Sequence, residues 1–205
     1  MNRLFSMDNI VMQTLGKIFD LVLLNIIFII SCIPVFTIGT SLSSLYTVTL
    51  KIVRKKDPYI IKGFFDAFRS NFRQSTVLWI FCLIMICFLG YDYQILNAQG
   101  SGFSMIRLLL ILITLILCAI FLYLFPVVSH FNCPTKKAVQ NALLLSIAHL
   151  PWTLLLFLYY GTILYILLHF PQVLGLFTLI GMFCGFSISA LITSLIYNHI
   201  FQNYE

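Results

Sequence analysis

The chain has 205 residues, of which 61% are hydrophobic and only 9% are charged. A soluble domain carries about a quarter charged residues, and one of this length could not bury so much apolar surface, so the composition excludes a soluble class and favours a membrane protein. Twelve Lys and Arg against six Asp and Glu give a net charge of +6, and because the basic residues border apolar runs, we expect anionic lipid headgroups, not nucleic acid, as their counterpart.

The first apolar segment covers residues 18–36 and is long enough to cross a bilayer. A less hydrophobic segment follows at residues 37–53, and small side chains recur in it every four residues. These small residues form two lines, Gly39 with Ser43 and Thr47, and Thr40 with Ser44. Small residues at this spacing let helices approach closely in lipid, so we predict a second span here, with a cytoplasmic amphipathic helix as the alternative.

The stretch between residues 51 and 73 carries seven of the twelve basic residues, which is typical of a loop that stays in the cytoplasm. Its second part, residues 58–73, repeats an apolar side chain every four residues and places charges on the opposite face. This pattern predicts a basic amphipathic helix that lies in the membrane interface, with its aromatic side chains in lipid. The candidate residues for contact with a partner or with lipid are Arg54, Lys55, Lys56, Lys62, Arg69 and Arg73.

Four further apolar segments predict spans at residues 77–91, 105–128, 150–170 and 173–197, and residues 134–149 predict a second cytoplasmic interfacial helix. The expected fold is therefore all-α, a single polytopic membrane domain over residues 1–205. It has six transmembrane helices, or five if residues 37–53 do not cross. The last span carries small residues every four positions, a spacing that favours helix packing: Gly181, Gly185, Ser189 and Thr193.

Charge counting favours the six-span topology. With residues 37–53 crossing, eleven of the twelve basic residues lie on the cytoplasmic side, and only Arg107 lies outside. Without that crossing, Arg3 and Lys17 move outside as well, and the division becomes nine to three. Both divisions obey the positive-inside rule, but the first obeys it better, so we predict six crossings with both termini in the cytoplasm.

The sequence contains no recognisable catalytic set. None of the six acidic residues lies at the centre of a span, whereas ion-coupled carriers usually keep an ionisable side chain there. The four histidines are scattered, so we expect no metal, and motifs for phosphate binding or hydrolysis are missing. We therefore predict a protein that is not an enzyme and needs no cofactor. Asn25 is the deepest strongly polar residue, and we expect it to make a hydrogen bond between helices.

Several motifs resemble the YesL-like family of bacterial membrane proteins. They are Ile-Pro-Val-Phe-Thr-Ile-Gly-Thr at residues 33–40, Phe-Phe-Asp-Ala-Phe-Arg-Ser-Asn-Phe-Arg-Gln at residues 64–74, and Ser-Ile-Ala-His-Leu-Pro-Trp at residues 146–152. The resemblance implies a small polytopic protein of the bacterial inner membrane without an assigned activity. It also implies an association with carbohydrate uptake systems of the ATP-binding-cassette type, and it carries over no catalytic or ligand residue.

These observations support three hypotheses of different kinds. The first is an accessory or regulatory membrane protein that contacts a transporter component through its basic interfacial helix. The second is a permease-like subunit in which residues 58–73 and 134–149 act as coupling helices, although the sequence has only Asp66-Ala67 where such permeases carry a longer motif. The third is a homo-oligomer that assembles through the small-residue line between residues 181 and 193.

Overall fold

The computed structural model describes residues 10–56, 59–98, 104–131, 133–170, 172 and 174–204. Every regular element in these ranges is helical, which confirms the predicted all-α class. The helices in chain order are α1 Ile10–Cys32, α2 Ile38–Val53, α3 Ile60–Ala98, α4 Ser104–His130, α5 Thr135–Ala148, α6 Leu150–His169, α7 Leu174–Ile180 and α8 Phe186–Phe201. A π-helical turn, Gly181–Gly185, joins α7 to α8, and short 3-10 turns cover Val35–Thr37 and Gln202–Tyr204.

Five helices of the described chain are long and apolar enough to cross a membrane. They lie at Leu15–Cys32, Ile60–Leu96, Met105–His130, Leu150–His169 and Thr178–Tyr204. The helix α2 is not among them, because its 16 residues reach only about 24 Å, less than the roughly 30 Å of a bilayer core. The sixth crossing therefore stays a prediction, and a multi-pass membrane protein is what the structure supports.

A tight turn joins α1 to α2 and makes them a helical hairpin. The helix α1 ends at Cys32, because Pro34 disfavours helical geometry in the residue before it and is itself extended. The Thr37 hydroxyl then donates to the carbonyl oxygens of Ser31 and Pro34, at 2.7 and 2.6 Å. These bonds hold the reversal, so the end of α2 returns toward the start of α1.

The helix α2 lies at the centre of the bundle, in contact with α1, α3, α4 and α8. Ten of its sixteen residues are buried, most of them small or hydroxylated. At Gly39 the backbone of α2 approaches α3 so closely that a Cβ atom would lie 2.5 Å from Trp79 Cβ and 2.8 Å from the Ser75 carbonyl oxygen. The Ser75 hydroxyl donates to Ser43 at 3.0 Å. The prediction that the small residues of α2 serve close helix packing is confirmed.

The predicted division of residues 58–91 into an interfacial helix and a separate span is wrong, because Ile60–Ala98 is one helix of 39 residues. No Gly or Pro interrupts residues 73–77, so nothing breaks the helix there. Protein covers only part of the apolar side of its first turns. Ile60 and Phe64 are buried in the core, whereas Phe65 and Phe72 are exposed. The predicted helix start at residues 57–58 lies outside the described residues.

Most basic residues lie at one end of the bundle, where several helices begin or end. The pairs Gly39–Trp79 and Ser43–Ser75 show that α2 runs antiparallel to α3, so the end of α2 lies beside the start of α3. Hydrogen-bond distances from Arg54 place the ends of α4 and α8 there too. We call this the basic end and define it by the segments 51–56, 59–62 and 133–137 with the ends of α4 and α8.

Replacing Gly39 with Ala tests the central packing. The added methyl group would overlap the Trp79 side chain and the Ser75 backbone, so we expect a loss of stability of about 1–3 kcal/mol. Thermal unfolding of the purified protein in detergent measures it. The matched control is Gly161→Ala in α6, where no atom lies within 4 Å of the new carbon. Equal unfolding temperatures for both variants would contradict the close approach.

Candidate functional site: a buried polar seam that leads to the basic end

Asn25 is fully buried and clasps the π-helical turn. Its side-chain amide donates to the carbonyl oxygens of Gly181 and Met182, at 2.9 and 2.8 Å, and its carbonyl oxygen accepts from the backbone amide of Ser187 at 3.1 Å. A π-helical turn disturbs the regular ladder of backbone bonds, and Asn25 supplies partners for the groups at both ends of the disturbance. The predicted hydrogen bond from Asn25 to another helix is confirmed.

Tyrosine and threonine side chains continue the polar contacts between α2, α6 and α8. The Tyr46 hydroxyl lies 3.4 Å from the Tyr160 hydroxyl and 3.5 Å from the Thr193 hydroxyl. One turn further along α2, Thr49 and Ser194 are joined at 2.7 Å. We call this line, from Asn25 through Tyr46 to Thr49 and Ser194, the polar seam. It fixes how α2 and α8 lie against each other, because Tyr46 and Thr49 of α2 meet Thr193 and Ser194 of α8.

Edge-to-face aromatic contacts cover the polar seam on the side of α4. The Tyr46 and Tyr197 rings meet edge to face at 5.6 Å, and Tyr123 meets Tyr197 in the same way at 5.4 Å. The phenolic groups are also satisfied: Tyr197 donates to the Leu122 carbonyl oxygen at 2.8 Å, and the hydroxyls of Tyr123 and Thr153 are 3.0 Å apart. No buried side-chain nitrogen or oxygen of the described residues lacks a hydrogen-bond partner.

Beyond Thr49 and Ser194, the polar contacts continue to Arg54, the residue that follows α2. Its Nε atom donates to Asn198 Oδ1 at 2.8 Å, and its Nη2 atom lies 3.5 Å from His130 Nε2. The His130 ring in turn stacks on Phe201, with 4.9 Å between centroids and 2° between planes. Three helices, α2, α4 and α8, therefore meet at one guanidinium group, and Arg54 is half-buried as a consequence.

The chain after Arg54 keeps its lysines exposed. Lys55 has a φ of 55°, which is unusual for a residue other than glycine, and its amide donates to the Ile52 carbonyl oxygen at 3.0 Å. The Lys56 amide donates to the Lys51 carbonyl oxygen at 3.0 Å, so α2 ends in a Schellman motif with lysine where glycine is usual. Lys56, like Lys55, is exposed.

The structure divides the six predicted contact residues into two groups. Arg54 is held inside by Asn198 and belongs to the packing of the bundle. The other five are exposed at or near the basic end: Lys55, Lys56, Lys62, Arg69 and Arg73. Both Arg69 and Arg73 lie further along α3 than the start that defines the basic end.

The four predicted packing residues of the last span do not form one straight ridge. The π-helical turn Gly181–Gly185 changes the angular spacing of the residues within it. At Gly181 no atom lies within 4 Å of the position that a Cβ atom would take, so α1 meets this turn through Asn25 instead of through a glycine surface. Ser189 is half-buried, and Thr193 is buried beside Tyr46. Helix packing through these four residues stays a prediction, and so does the homo-oligomer.

A second contact joins α3 to the connection between α4 and α5. The Gln74 side-chain amide donates to the Cys133 carbonyl oxygen at 2.9 Å. Burial raises the pKa of the Cys133 thiol, and the nearby Lys137 ammonium group partly opposes that rise. Cys133 is therefore a weak nucleophile at neutral pH.

Among the described residues there is also no group of three His, Cys, Asp or Glu side chains that could hold a metal ion.

Sequence reasoning found Asn25 and the small residues of α2 but missed the tyrosines of the seam. A signal was available, because Tyr46, Tyr123 and Tyr197 lie inside apolar helices, where a phenolic hydroxyl needs a partner. The sequence does not show which partner each hydroxyl has. Nothing in the spacing of Arg54, His130 and Asn198 indicated that they meet either, since they lie on different helices.

Replacing Asn25 with Leu tests the clasp on the π-helical turn. Two carbonyl oxygens and one backbone amide would lose their partner, and we expect a loss of about 1–2 kcal/mol in stability, measured by thermal unfolding in detergent. Thr162→Val is the control, because the Thr162 hydroxyl is exposed and bonds only to Leu158 of its own helix. An Asn25→Leu variant as stable as this control would show that the clasp contributes nothing.

Comparison with known proteins finds similarity without an assigned activity. Residues 21–93, which include Asn25, α2 and most of α3, match the family described as "Protein of unknown function, DUF624". The chain is also 22% identical over 157 residues to the "Uncharacterized protein YteU" of Bacillus subtilis (strain 168), an alignment that covers 76% of this chain and 71% of that protein. No solved structure matches the chain. The chain is thus similar to proteins whose activity is not assigned.

Proposed function

We propose that this protein is a non-enzymatic accessory or regulatory protein of a bacterial inner membrane, which contacts a cytoplasmic partner through the exposed Lys55 and Lys56 of its basic end. The observation that carries the proposal is the meeting of α2, α4 and α8 at Arg54, with exposed lysines on the segment that follows. A surface built from three helix ends is held in a defined position, as a docking surface requires.

The Lys55 backbone adds support for a role of this segment. A left-handed conformation costs a residue other than glycine roughly 1–2 kcal/mol, and glycine would relieve that cost. The chain nevertheless carries lysine there, next to a second lysine. Lysine differs from glycine at this position by a cationic side chain that is exposed to solvent. The presence of lysine here therefore favours an electrostatic role.

We infer the class of partner from the resemblance to YesL-like proteins, which the match of residues 21–93 supports. The partner is a component of a carbohydrate importer that presents an acidic cytoplasmic surface. Complementary charge would bring the two together and set their orientation, while the apolar helices keep both proteins in the same membrane.

The permease-like alternative has less support. A coupling helix is a short separate element, whereas residues 60–73 continue without a break into the spanning part of α3. Of the two predicted coupling helices, only the second is a separate element, namely α5 with 14 residues between α4 and α6. We therefore favour the accessory role.

Thiol labelling tests the proposed orientation, in which the basic end and both termini are cytoplasmic. The first half of α1 lies beside this end, because Asp20 shares a groove with Tyr59 and Lys62 at the start of α3. We expect a Lys55→Cys variant, in a chain without other cysteines, to react with an impermeant maleimide only after the membrane is opened. Labelling in intact cells would overturn the orientation and the docking surface together.

Crosslinking tests the partner. With Arg69→Cys as the attachment point for a crosslinker, we expect a carbohydrate-importer component to be recovered from native membranes. The double variant Lys55→Glu and Lys56→Glu should reduce its recovery severalfold, because it reverses two exposed charges. The control with Arg at both positions keeps the charges and should recover it fully. Recovery that is independent of charge, or free of importer components, would contradict the proposal.

A further inference from the structure

An apolar cleft of about 810 Å³ separates α3 from α4 along their membrane-spanning parts. On α3 its wall repeats at helical spacing, as with Leu78, Cys82 and Met85, and also includes Gly90. On α4 it includes Thr114 and Cys118. The Thr114 hydroxyl is satisfied within its own helix, since it donates to the Leu110 carbonyl oxygen at 2.8 Å. The other hydroxyl in the wall belongs to Tyr93, near the end of α3 that lies away from the basic end. The cleft is therefore almost entirely apolar between Tyr93 and the basic end.

Two further helices contribute to the cleft wall, since Val139 of α5 and Phe157 of α6 line it. Because α5 starts at the basic end, these residues mark the end of the cleft nearest to it. Gln74 lies one turn before Leu78 on the same face of α3, and its bond to Cys133 ties α3 to the start of the α4–α5 connection. The cleft thus has an apolar interior and a mouth built from α3, α5 and the connection before α5.

Two exposed lysines stand at this mouth. Lys136 precedes Val139 by three residues, so the two share a face of α5. Lys137 lies close enough to the Cys133 thiol to influence its ionisation. An apolar cleft between spanning helices that ends in cations at the cytoplasmic level matches both parts of an anionic phospholipid, the acyl chains and the phosphate.

We propose that the cleft between α3 and α4 binds an anionic phospholipid, with its acyl chains along the cleft and its phosphate at Lys136 and Lys137. The lipid fills the cleft beside the contact that α3 and α4 make through Trp79, Phe121 and Phe125. This site is separate from the docking surface at Lys55 and Lys56, and it stands whether or not that surface binds a partner.

Filling the cleft tests the acyl-chain part. Around Gly90 no atom lies within 4 Å of a new Cβ, so a Gly90→Trp side chain can enter the cleft without displacing protein. We expect this variant, purified as the full chain in mild detergent, to retain clearly fewer phospholipids by native mass spectrometry. Gly161→Trp in α6 is the matched control, since its Cβ also meets nothing within 4 Å and it does not line the cleft. Thr114→Trp repeats the test from the α4 side.

Removing the charges tests the headgroup part. Delipidated protein is mixed with equal amounts of phosphatidylglycerol and phosphatidylcholine, and the ratio of the two bound lipids is measured. The double variant Lys136→Gln and Lys137→Gln should lower the preference for phosphatidylglycerol by about fivefold or more, while total lipid is kept. The control Lys55→Gln with Lys56→Gln removes the same charge elsewhere and should leave the preference unchanged.

Three results would overturn the proposal. The first is equal lipid retention in the Gly90→Trp, Thr114→Trp and Gly161→Trp proteins. The second is a preference for phosphatidylglycerol that survives the loss of Lys136 and Lys137. The third is a disulfide between two copies of the chain through Cys118, which lines the cleft, because it would show that a second copy fills the space.

Discussion

The close approach of α2 to α3 at Gly39 is the contact on which the rest of the bundle depends. Any side chain at this position would meet Trp79 and the α3 backbone, so the helices can touch here only because glycine has none. Once α2 lies against α3, its hydroxylated residues reach partners on both sides, Ser75 on α3 and Ser194 on α8. In lipid, where apolar surfaces gain nothing from avoiding water, close packing and such hydrogen bonds are what hold helices together.

The polar seam shows how this fold uses its few polar side chains. Asn25 supplies the groups that the π-helical turn leaves without regular partners, and Tyr46 links α2 to α6 and α8. Each polar atom of the seam is matched, so the seam specifies one arrangement of the helices. The same arrangement positions Arg54 between Asn198 and His130 and leaves Lys55 and Lys56 exposed. The helix packing inside the membrane therefore also determines where the charged surface residues lie.

The two proposals assign different tasks to neighbouring cations. The lysines after α2 follow a rigid helix end and face solvent, which suits a protein surface of opposite charge. The lysines at the start of α5 stand at the mouth of an apolar cleft, which suits a lipid with a charged headgroup. Net charge and the positive-inside rule do not distinguish the two pairs of lysines. Only the structure beside each pair indicates a different ligand for each.

Composition and hydropathy alone determined the membrane class, the helical fold and nearly all helix positions, because the bilayer leaves helices as the natural way to satisfy the backbone of apolar segments. Spacing also indicated the packing face of α2, and the polarity of Asn25 within an apolar span indicated its role. Only the tertiary structure showed that residues 60–98 form one helix, that a π-helical turn bends the line from Gly181 to Thr193, and that Arg54 meets two other helices. Periodicity describes one helix at a time, whereas these features depend on which neighbours cover each face.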